Sequence, residues 1–350
     1  MHFDFHERFD LNEPNKNVFE CTPIRFCFVG PRGVGKSSLL ASMYHQIHAK
    51  GISIEPSGYS TQHVLKEALK DMQEMINDTP MGHTVEESIG LQGSQEAAHY
   101  EFTGKQIVQD KDLIKRSDFK EFIFSFRFVD IPGGWFIPQH EKFSESLQLL
   151  LQSFVSFIAV DAPALMAGAA TAQRNNQPDI IRDWYRCSLA QLKSMGHTVI
   201  FVLTRCEKYW NDKSAMRREL EKTYASLIQV LKKEGIKICI TWVKTLGGLE
   251  FDHYEKGYDS CGNRIRKARF KRVGDYAPEN CATPLELGLE NSLKSAALAI
   301  NKSVNNNFLP WLTSTIGLSN EHLAIQAANK LARKLKHNML SGVRSTYEVI

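Results

Sequence analysis

From residue 24 onward, short apolar runs alternate with amphipathic stretches. Ile24-Arg25-Phe26-Cys27-Phe28-Val29 reads as a buried strand, and Ser38-Leu39-Leu40-Ala41-Ser42-Met43-Tyr44-His45 opens a helix. Ile52-Ser53-Ile54-Glu55 suits a short strand, and Gln62 to Asn77 places Val64, Leu65, Leu69, Met72 and Ile76 on one helical face. Thr79 to Ala98 is polar and contains glycine, as loops do. His99 to Phe102 and Glu121 to Val129 return to strand character, the second by alternation that ends in an apolar pair. Three more β-rich runs follow, Ser156 to Asp161, His197 to Leu203 and Ile236 to Val243. Helical patterns over roughly 140–153, 178–195 and 213–234 precede them in turn. Such alternation predicts a mostly parallel sheet covered by helices on both faces, with ligands bound at the carboxyl ends of the strands.

The periphery is less regular. Residues 1–22 read as an irregular arm. The stretch 251–280 interrupts the alternation, and a helical pattern near 283–300 resumes it. The segment 301–350 reads as a helical C-terminal appendage, in which Glu321 to Met339 aligns Ile325, Ala328, Leu331, Leu335 and Met339. That helix either docks on its own domain or binds a partner or a membrane surface. A main domain over 23–300, with insertions near 50–118 and 251–280, accounts for the pattern.

Composition narrows the class. At 350 residues the chain holds two domains or one with insertions, and its 43% hydrophobic and 23% charged content is that of an ordinary globular protein. A net charge of +4 is too mild to imply nucleic acid by itself. The seven cysteines are scattered without a C-x-x-C pair, and Cys27 and Cys239 fall inside expected strands. That favours a reducing, cytoplasmic setting over a disulfide framework or zinc site. The first twenty residues lack a continuous apolar stretch, so no signal peptide is expected, and no run approaches the roughly 18 apolar residues of a membrane span.

Four stretches carry candidate chemistry. Gly30-Pro31-Arg32-Gly33-Val34-Gly35-Lys36-Ser37 reads G-x-x-x-x-G-K-S between the first strand and its helix, the context of a phosphate-binding loop. Its glycines bring backbone N–H groups onto phosphates, Lys36 reaches the β- and γ-phosphates, and Ser37 ligates Mg²⁺. Gly30, Gly33, Val34, Gly35 and Ser38 complete the expected cradle, at a helix N-terminus that favours anions. Phe128-Val129-Asp130-Ile131-Pro132-Gly133-Gly134 ends a strand with D-x-x-G. There Asp130 supports Mg²⁺ and the Gly133 N–H meets a γ-phosphate; the plainer reading is a strand-end turn. Thr204-Arg205-Cys206-Glu207 stands where an [N/T]-K-x-D motif reads guanine. A carboxylate accepts from guanine N1 and N2, a donor pair that adenine lacks, and an arginine stem stacks over a purine. The alternative is an ordinary solvated loop. Lys244, in Val243-Lys244-Thr245, is the candidate for a further base-contacting loop. Among Thr79, Thr84 and Ser94, Thr84 is the candidate to complete the Mg²⁺ shell.

In this order the motifs resemble a P-loop GTPase of the translation-factor-related class, over about 23–300. Asp130-Ile-Pro-Gly-Gly-Trp135 and Tyr276-Ala-Pro-Glu-Asn280, with the long insertions, are similar to the double-GTPase families of bacterial conflict systems. The resemblance implies a three-layer Ras-like G domain, GTP and GDP as ligands, Mg²⁺ as cofactor and slow hydrolysis serving a nucleotide switch. It also implies a protein partner: an effector, an activator or a second GTPase. Two departures qualify it. The position after the D-x-x-G glycine, where many GTPases carry glutamine, is Gly134. Arg32 occupies a loop position where small residues are common, and is either a built-in arginine finger or, as we favour, a solvent-facing side chain.

The stretch Arg264 to Arg272 holds six basic residues in nine and suggests a hairpin arm. It is either a solvated surface or a contact for an acidic partner or nucleic-acid backbone. An ATPase of similar fold and a nucleotide-binding scaffold without turnover remain the alternatives to a GTPase. No G-x-S-x-G elbow, H-E-x-x-H or metal-spaced His/Cys cluster is present in the sequence.

Overall fold

The computed structural model describes residues 23–47, 53–86, 96–109, 119–258, 264–301 and 347–350. The expected N-terminal arm, Ser94 and the helix expected at 321–339 lie outside them. Within them, strand β1 (Ile24–Val29) leads through the glycine loop into α1 (Lys36–Ile47). Next come β2 (Ser53–Pro56), α2 (Tyr59–Asn77), β3 (Thr84–Glu86), β4 (Ala98–Gln109) and β5 (Phe119–Asp130). After α3 (Phe143–Leu151) and β6 (Val155–Asp161), four helices follow: α4 (Ala162–Met166), α5 (Ala169–Asn176), α6 (Pro178–Arg186) and α7 (Leu189–Ser194). The chain continues through β7 (Thr198–Thr204), α8 (Lys213–Thr223), α9 (Ala225–Lys233) and β8 (Lys237–Trp242). It ends with β9 (Leu249–Tyr258), β10 (Arg264–Arg272), α10 (Thr283–Asn301) and β11 (Tyr347–Val349).

The large sheet has the order β11-β8-β7-β6-β1-β5-β4-β2. Strands β8, β7, β6, β1 and β5 run parallel, while β4 lies antiparallel to β5 and β11 antiparallel to β8. Alternation within β1 explains the layers. Phe26 and Phe28 face one core with Leu39, Leu40 and Met43 of α1 and Leu285 and Leu289 of α10. Cys27 and Val29 face the other, with Leu150, Ile181, Trp184, Leu192, Leu220 and Leu231. The first core is a nest of phenylalanines: Phe28 and Phe128 stack at 5.2 Å and 17°, and Phe102 and Phe126 at 5.1 Å and 9°. Such rings bury much apolar area with defined geometry. The result is a three-layer α/β architecture around a mostly parallel sheet.

Several elements differ from expectation. The 178–195 pattern is two helices, because Ser188 N–H bonds the Tyr185 carbonyl and the Ser188 carbonyl starts the next helix. The 213–234 pattern breaks at Tyr224, whose ring is buried 5.1 Å from Phe201 and whose hydroxyl donates to the Asn176 carbonyl at 3.2 Å. The segment read as a loop after Thr79 contains β3, and the segment read as helical to residue 350 contains β11. The 251–280 insertion is a hairpin, β9 with β10, joined by β3 into a separate three-stranded sheet. This sheet packs Phe251, Ala268 and Phe270 against Met72, Met75 and Ile76 of α2 and Ala41 of α1. Among the described residues, no helix is long and apolar enough to cross a membrane.

A buried polar chain links β6 to the helical layer. Tyr185 and Ser156 share a hydroxyl hydrogen bond, Ser156 Oγ lies 2.9 Å from His197 Nε2, and His197 Nδ1 lies 2.9 Å from the Ser153 carbonyl. A carbonyl only accepts, so Nδ1 carries the ring proton and Nε2 accepts from Ser156. Burial pushes the imidazole down to about 4. An unfolded chain therefore binds a proton here that the folded chain refuses. The contribution is full above roughly pH 6.5 and is lost as pH falls toward the folded value, a difference of about 3 kcal/mol. NMR titration should find His197 neutral at about pH 5, where an exposed histidine is charged. Unfolding free energy should fall with acid over this window, less steeply in His197→Gln.

Candidate functional site

Three loops leave the carboxyl ends of the parallel strands β1, β5 and β7, the second and third each touching the first. The first leaves β1. Gly30, Gly33 and Gly35 have φ of 147°, 80° and 87°, values that side chains rarely tolerate. A Cβ on Gly30 would fall 2.9 Å from the Ala159 carbonyl of β6. Lys36 folds back over this loop: its Nζ donates to the Gly30 carbonyl at 2.9 Å and the Pro31 carbonyl at 3.3 Å, and stands 3.6 Å from Asp130 Oδ1. Val34, Lys36 and Ser38 are buried, Gly35 and Ser37 half-buried, and Arg32 and Gly33 exposed.

Asp130 ends the second of these strands, β5. Its Oδ1 is buried without a hydrogen-bond partner among the described residues. Burial holds the carboxyl above its usual range, and the Lys36 ammonium opposes that rise. The next turn rests on the first loop: a Cβ on Gly133 would fall 2.8 Å from Pro31 Cα and 2.9 Å from Arg32 N. Only glycine permits that approach. Trp135 and Phe136 anchor the turn from below. Ser146 Oγ, which donates to the Trp135 carbonyl at 3.2 Å, accepts from Trp184 Nε1 at 2.9 Å, and Phe136 lies 4.7 Å from the Trp184 ring.

The third loop leaves β7. Thr204 Oγ1 reaches the Val34 carbonyl at 2.6 Å and the Val160 carbonyl at 3.1 Å, tying the loop to the glycine loop and to β6. Arg205 takes a left-handed φ of 57° and is only 3% exposed. Its guanidinium lies 3.5 Å from Asp161 Oδ2 and 5.3 Å from the Phe270 ring. Glu207 is 7% exposed. Its Oε1 accepts from the N–H groups of Leu246 at 2.9 Å and Gly247 at 3.1 Å, while Oε2 is buried without a hydrogen-bond partner among the described residues. Burial raises this carboxyl as well, and the two N–H groups oppose it.

The sequence-predicted residues divide accordingly. Lys36, Asp130, Gly133, Thr204, Arg205 and Glu207 converge. Lys244 turns to Glu279, 2.7 Å away, and over the Trp210 ring at 4.6 Å; its loop meets Glu207 through the backbone two and three residues further on. Thr84 is exposed in β3 opposite Lys271, in the small sheet. Among the described residues no group of three or more His, Cys, Asp or Glu is able to hold a metal. A cation at Ser37 and Asp130 would thus complete its shell with phosphate oxygens and water, the usual habit of Mg²⁺. The basic run is largely answered within the small sheet. Lys267 pairs with Glu86, Arg269 with Glu86 and Glu255, and Arg272 with Asp275 and the Thr79 carbonyl.

Sequence reading missed Asp161. It is buried at the carboxyl end of β6, where it accepts from Tyr254 of β9 and holds Arg205. Burial raises its carboxyl, and Arg205 opposes the rise. An acid closing a parallel strand was the available signal. Tyr254 and Phe270 thus roof the Arg205 end of the site, an arrangement set by tertiary packing.

The double use of Glu207 yields a prediction. Glu207→Ala strips two N–H groups of their acceptor and should lower unfolding free energy by about 2 kcal/mol in urea denaturation. Glu207→Gln keeps an acceptor oxygen and should stay within about 1 kcal/mol of the parent.

No family model matches the chain, and no curated protein matches it. Among solved structures it is similar to the S. cerevisiae Ski7 GTPase-like domain bound to GTP, at 15% identity over 70% of this chain and 46% of the other, with a TM-score of 0.34. The same domain bound to GDP and inorganic phosphate gives 15% identity over 66% of this chain and 44% of that one, with a TM-score of 0.30. A structure from Thermus thermophilus matches at 14% identity over 90% of this chain and 36% of that one, with a TM-score of 0.23. The chain spans less than half the length of each of these structures. At such distances the functional reading rests on the loops themselves.

Proposed function

We propose that the chain binds GTP and GDP around Lys36 and hydrolyses GTP slowly with Mg²⁺, as a nucleotide-dependent switch. One observation carries the reading: two buried oxygens, Asp130 Oδ1 and Glu207 Oε2, have no hydrogen-bond partner among the described residues, on loops that meet at one glycine loop. Buried polar atoms are ordinarily satisfied. A nucleotide answers both, through its metal at the first and through the N1–H and N2–H donors of guanine at the second. Adenine offers no such pair, so the second oxygen selects the base.

The roles follow from position. Lys36 and the N–H groups of the glycine loop hold the β- and γ-phosphates, and the Gly133 N–H meets the γ-phosphate. Ser37 and Asp130 would hold Mg²⁺, which when bound neutralises charge gathering on the phosphoryl oxygens. Arg205, braced by Asp161 and Phe270, covers the purine. Arg32, exposed on the loop, is not assigned a catalytic role. Gly134 brings no side chain to the attacking water, which supports slow intrinsic turnover. It also supports a companion protein that raises the rate, a second GTPase in the double-GTPase families the chain resembles.

Calorimetric titration with GDP and with ADP in Mg²⁺ tests this, with Glu207→Gln alongside. Tight GDP binding and weak ADP binding are expected. The glutamine variant should stay folded and lose guanine preference by about tenfold, the weight of roughly one good hydrogen bond. Equal binding of both nucleotides, indifferent to the substitution, would replace this reading with that of an ATPase of similar fold. GDP binding with no phosphate release from GTP would leave a nucleotide-binding scaffold.

A further inference from the structure

Position 134 has no side chain, yet its surroundings hold a ring. A Cβ on Gly134 would lie 3.9 Å from Cδ2 and 4.0 Å from Nε2 of His140. The Nε2 edge of that imidazole therefore borders the space a side chain at 134 would enter. The turn that carries Gly134 is pressed onto Pro31 and Arg32 through the adjoining Gly133.

The ring is also held in place. The Lys142 N–H donates to His140 Nδ1 at 3.1 Å. The His140 N–H donates to the Ile137 carbonyl at 2.9 Å, and its carbonyl accepts from Phe143 N–H at 3.0 Å. The Trp135 ring lies 6.3 Å from the imidazole at 32°. Trp135 is buried, so the histidine leans on a fixed wall. Because Nδ1 accepts, a neutral ring carries its proton on Nε2 and is a donor on the side facing Gly134.

We propose that His140 is a catalytic residue, whose Nε2–H donates to a γ-phosphoryl oxygen, a contact that position 134, without a side chain, cannot make. The inference rests on the hydrolytic reading above. In that reaction a water oxygen bonds to the γ-phosphorus. The bond from that phosphorus to the β–γ bridging oxygen breaks, with its electron pair passing to GDP, and the water proton ends on the released phosphate. His140 neither gains nor loses a proton. Its donor stabilises charge on the transferring group, the kind of contribution that dominates phosphoryl transfer.

Single-turnover hydrolysis, with the full chain in excess over GTP in Mg²⁺, tests the assignment, with GDP affinity measured for every variant. His140→Ala should slow hydrolysis roughly a hundredfold, the usual loss for one aimed donor, with GDP affinity unchanged. His140→Gln, whose amide N–H donates, should recover much of the rate. Gly134→Gln placed on His140→Ala should recover part of it, because position 134 meets only ordinary contacts. A His140→Ala protein that binds GDP and hydrolyses GTP at the parent rate would overturn this inference alone. So would a loss of rate that neither glutamine restores and that a loss of GDP affinity accompanies, since His140 would then only brace the turn. A parent protein that binds GDP but never turns over GTP would overturn the inference together with the reading beneath it.

Discussion

Everything at this site depends on a lysine and an aspartate buried together. Lys36 opens α1 and Asp130 closes β5, and they meet only because β1 and β5 are parallel neighbours with Phe28 opposite Asp130. Removing both charges from water is costly, and a separation of 3.6 Å without a hydrogen bond to Oδ1 repays it poorly. Lys36 is steadied instead by two carbonyls of its own loop. An ammonium held by carbonyls beside a carboxylate with a bare oxygen is poorly optimised for stability. It suits the phosphate chain and divalent cation of the proposed function.

The core exists to keep that register. Phe26, Phe28, Phe126, Phe128 and Phe157 come from three adjacent strands and interlock, with centroids between 5.2 and 5.9 Å across β1. A one-residue slip of β5 against β1 would turn its phenylalanines out of this cluster and carry Asp130 away from Lys36. The loops at the carboxyl ends then interlock in their turn. Gly133 lies on Pro31, Thr204 bonds Val34, and Glu207 gathers the backbone of Leu246 and Gly247. The small sheet closes the Arg205 side, so charges there act in a medium far less polarisable than water.

The central strands and the glycine loop were legible because their signals are local: apolar runs of strand length, glycines at fixed offsets and a following helix. The placement of Asp130, Thr204 and Glu207 at or just beyond strand ends was legible because order along the chain fixes which strand each one follows. What stayed hidden depends on distant partners. Thr84 was the candidate for a metal but lies opposite Lys271 in a sheet of which only the hairpin arm was legible. Lys244 looked suited to a base but is held by Glu279, which arrives from the far side of the hairpin. The charge of β10 left a solvated face and an outside partner both open, whereas Glu86 and Glu255 answer Lys267 and Arg269 from flanking strands. Helices α4 and α5 follow Asp161 in a stretch rich in alanine, where a weak apolar pattern hid them.

Hydrogen exchange of backbone amides, with and without GDP and Mg²⁺, tests the central claim most directly. If the glycine loop beside Lys36 and Asp130 is the phosphate site, exchange should slow most strongly from Gly33 to Ser38. It should also slow at Glu207 and at Leu246 and Gly247 as the base is read. Protection elsewhere, or none at saturating nucleotide, would contradict the account.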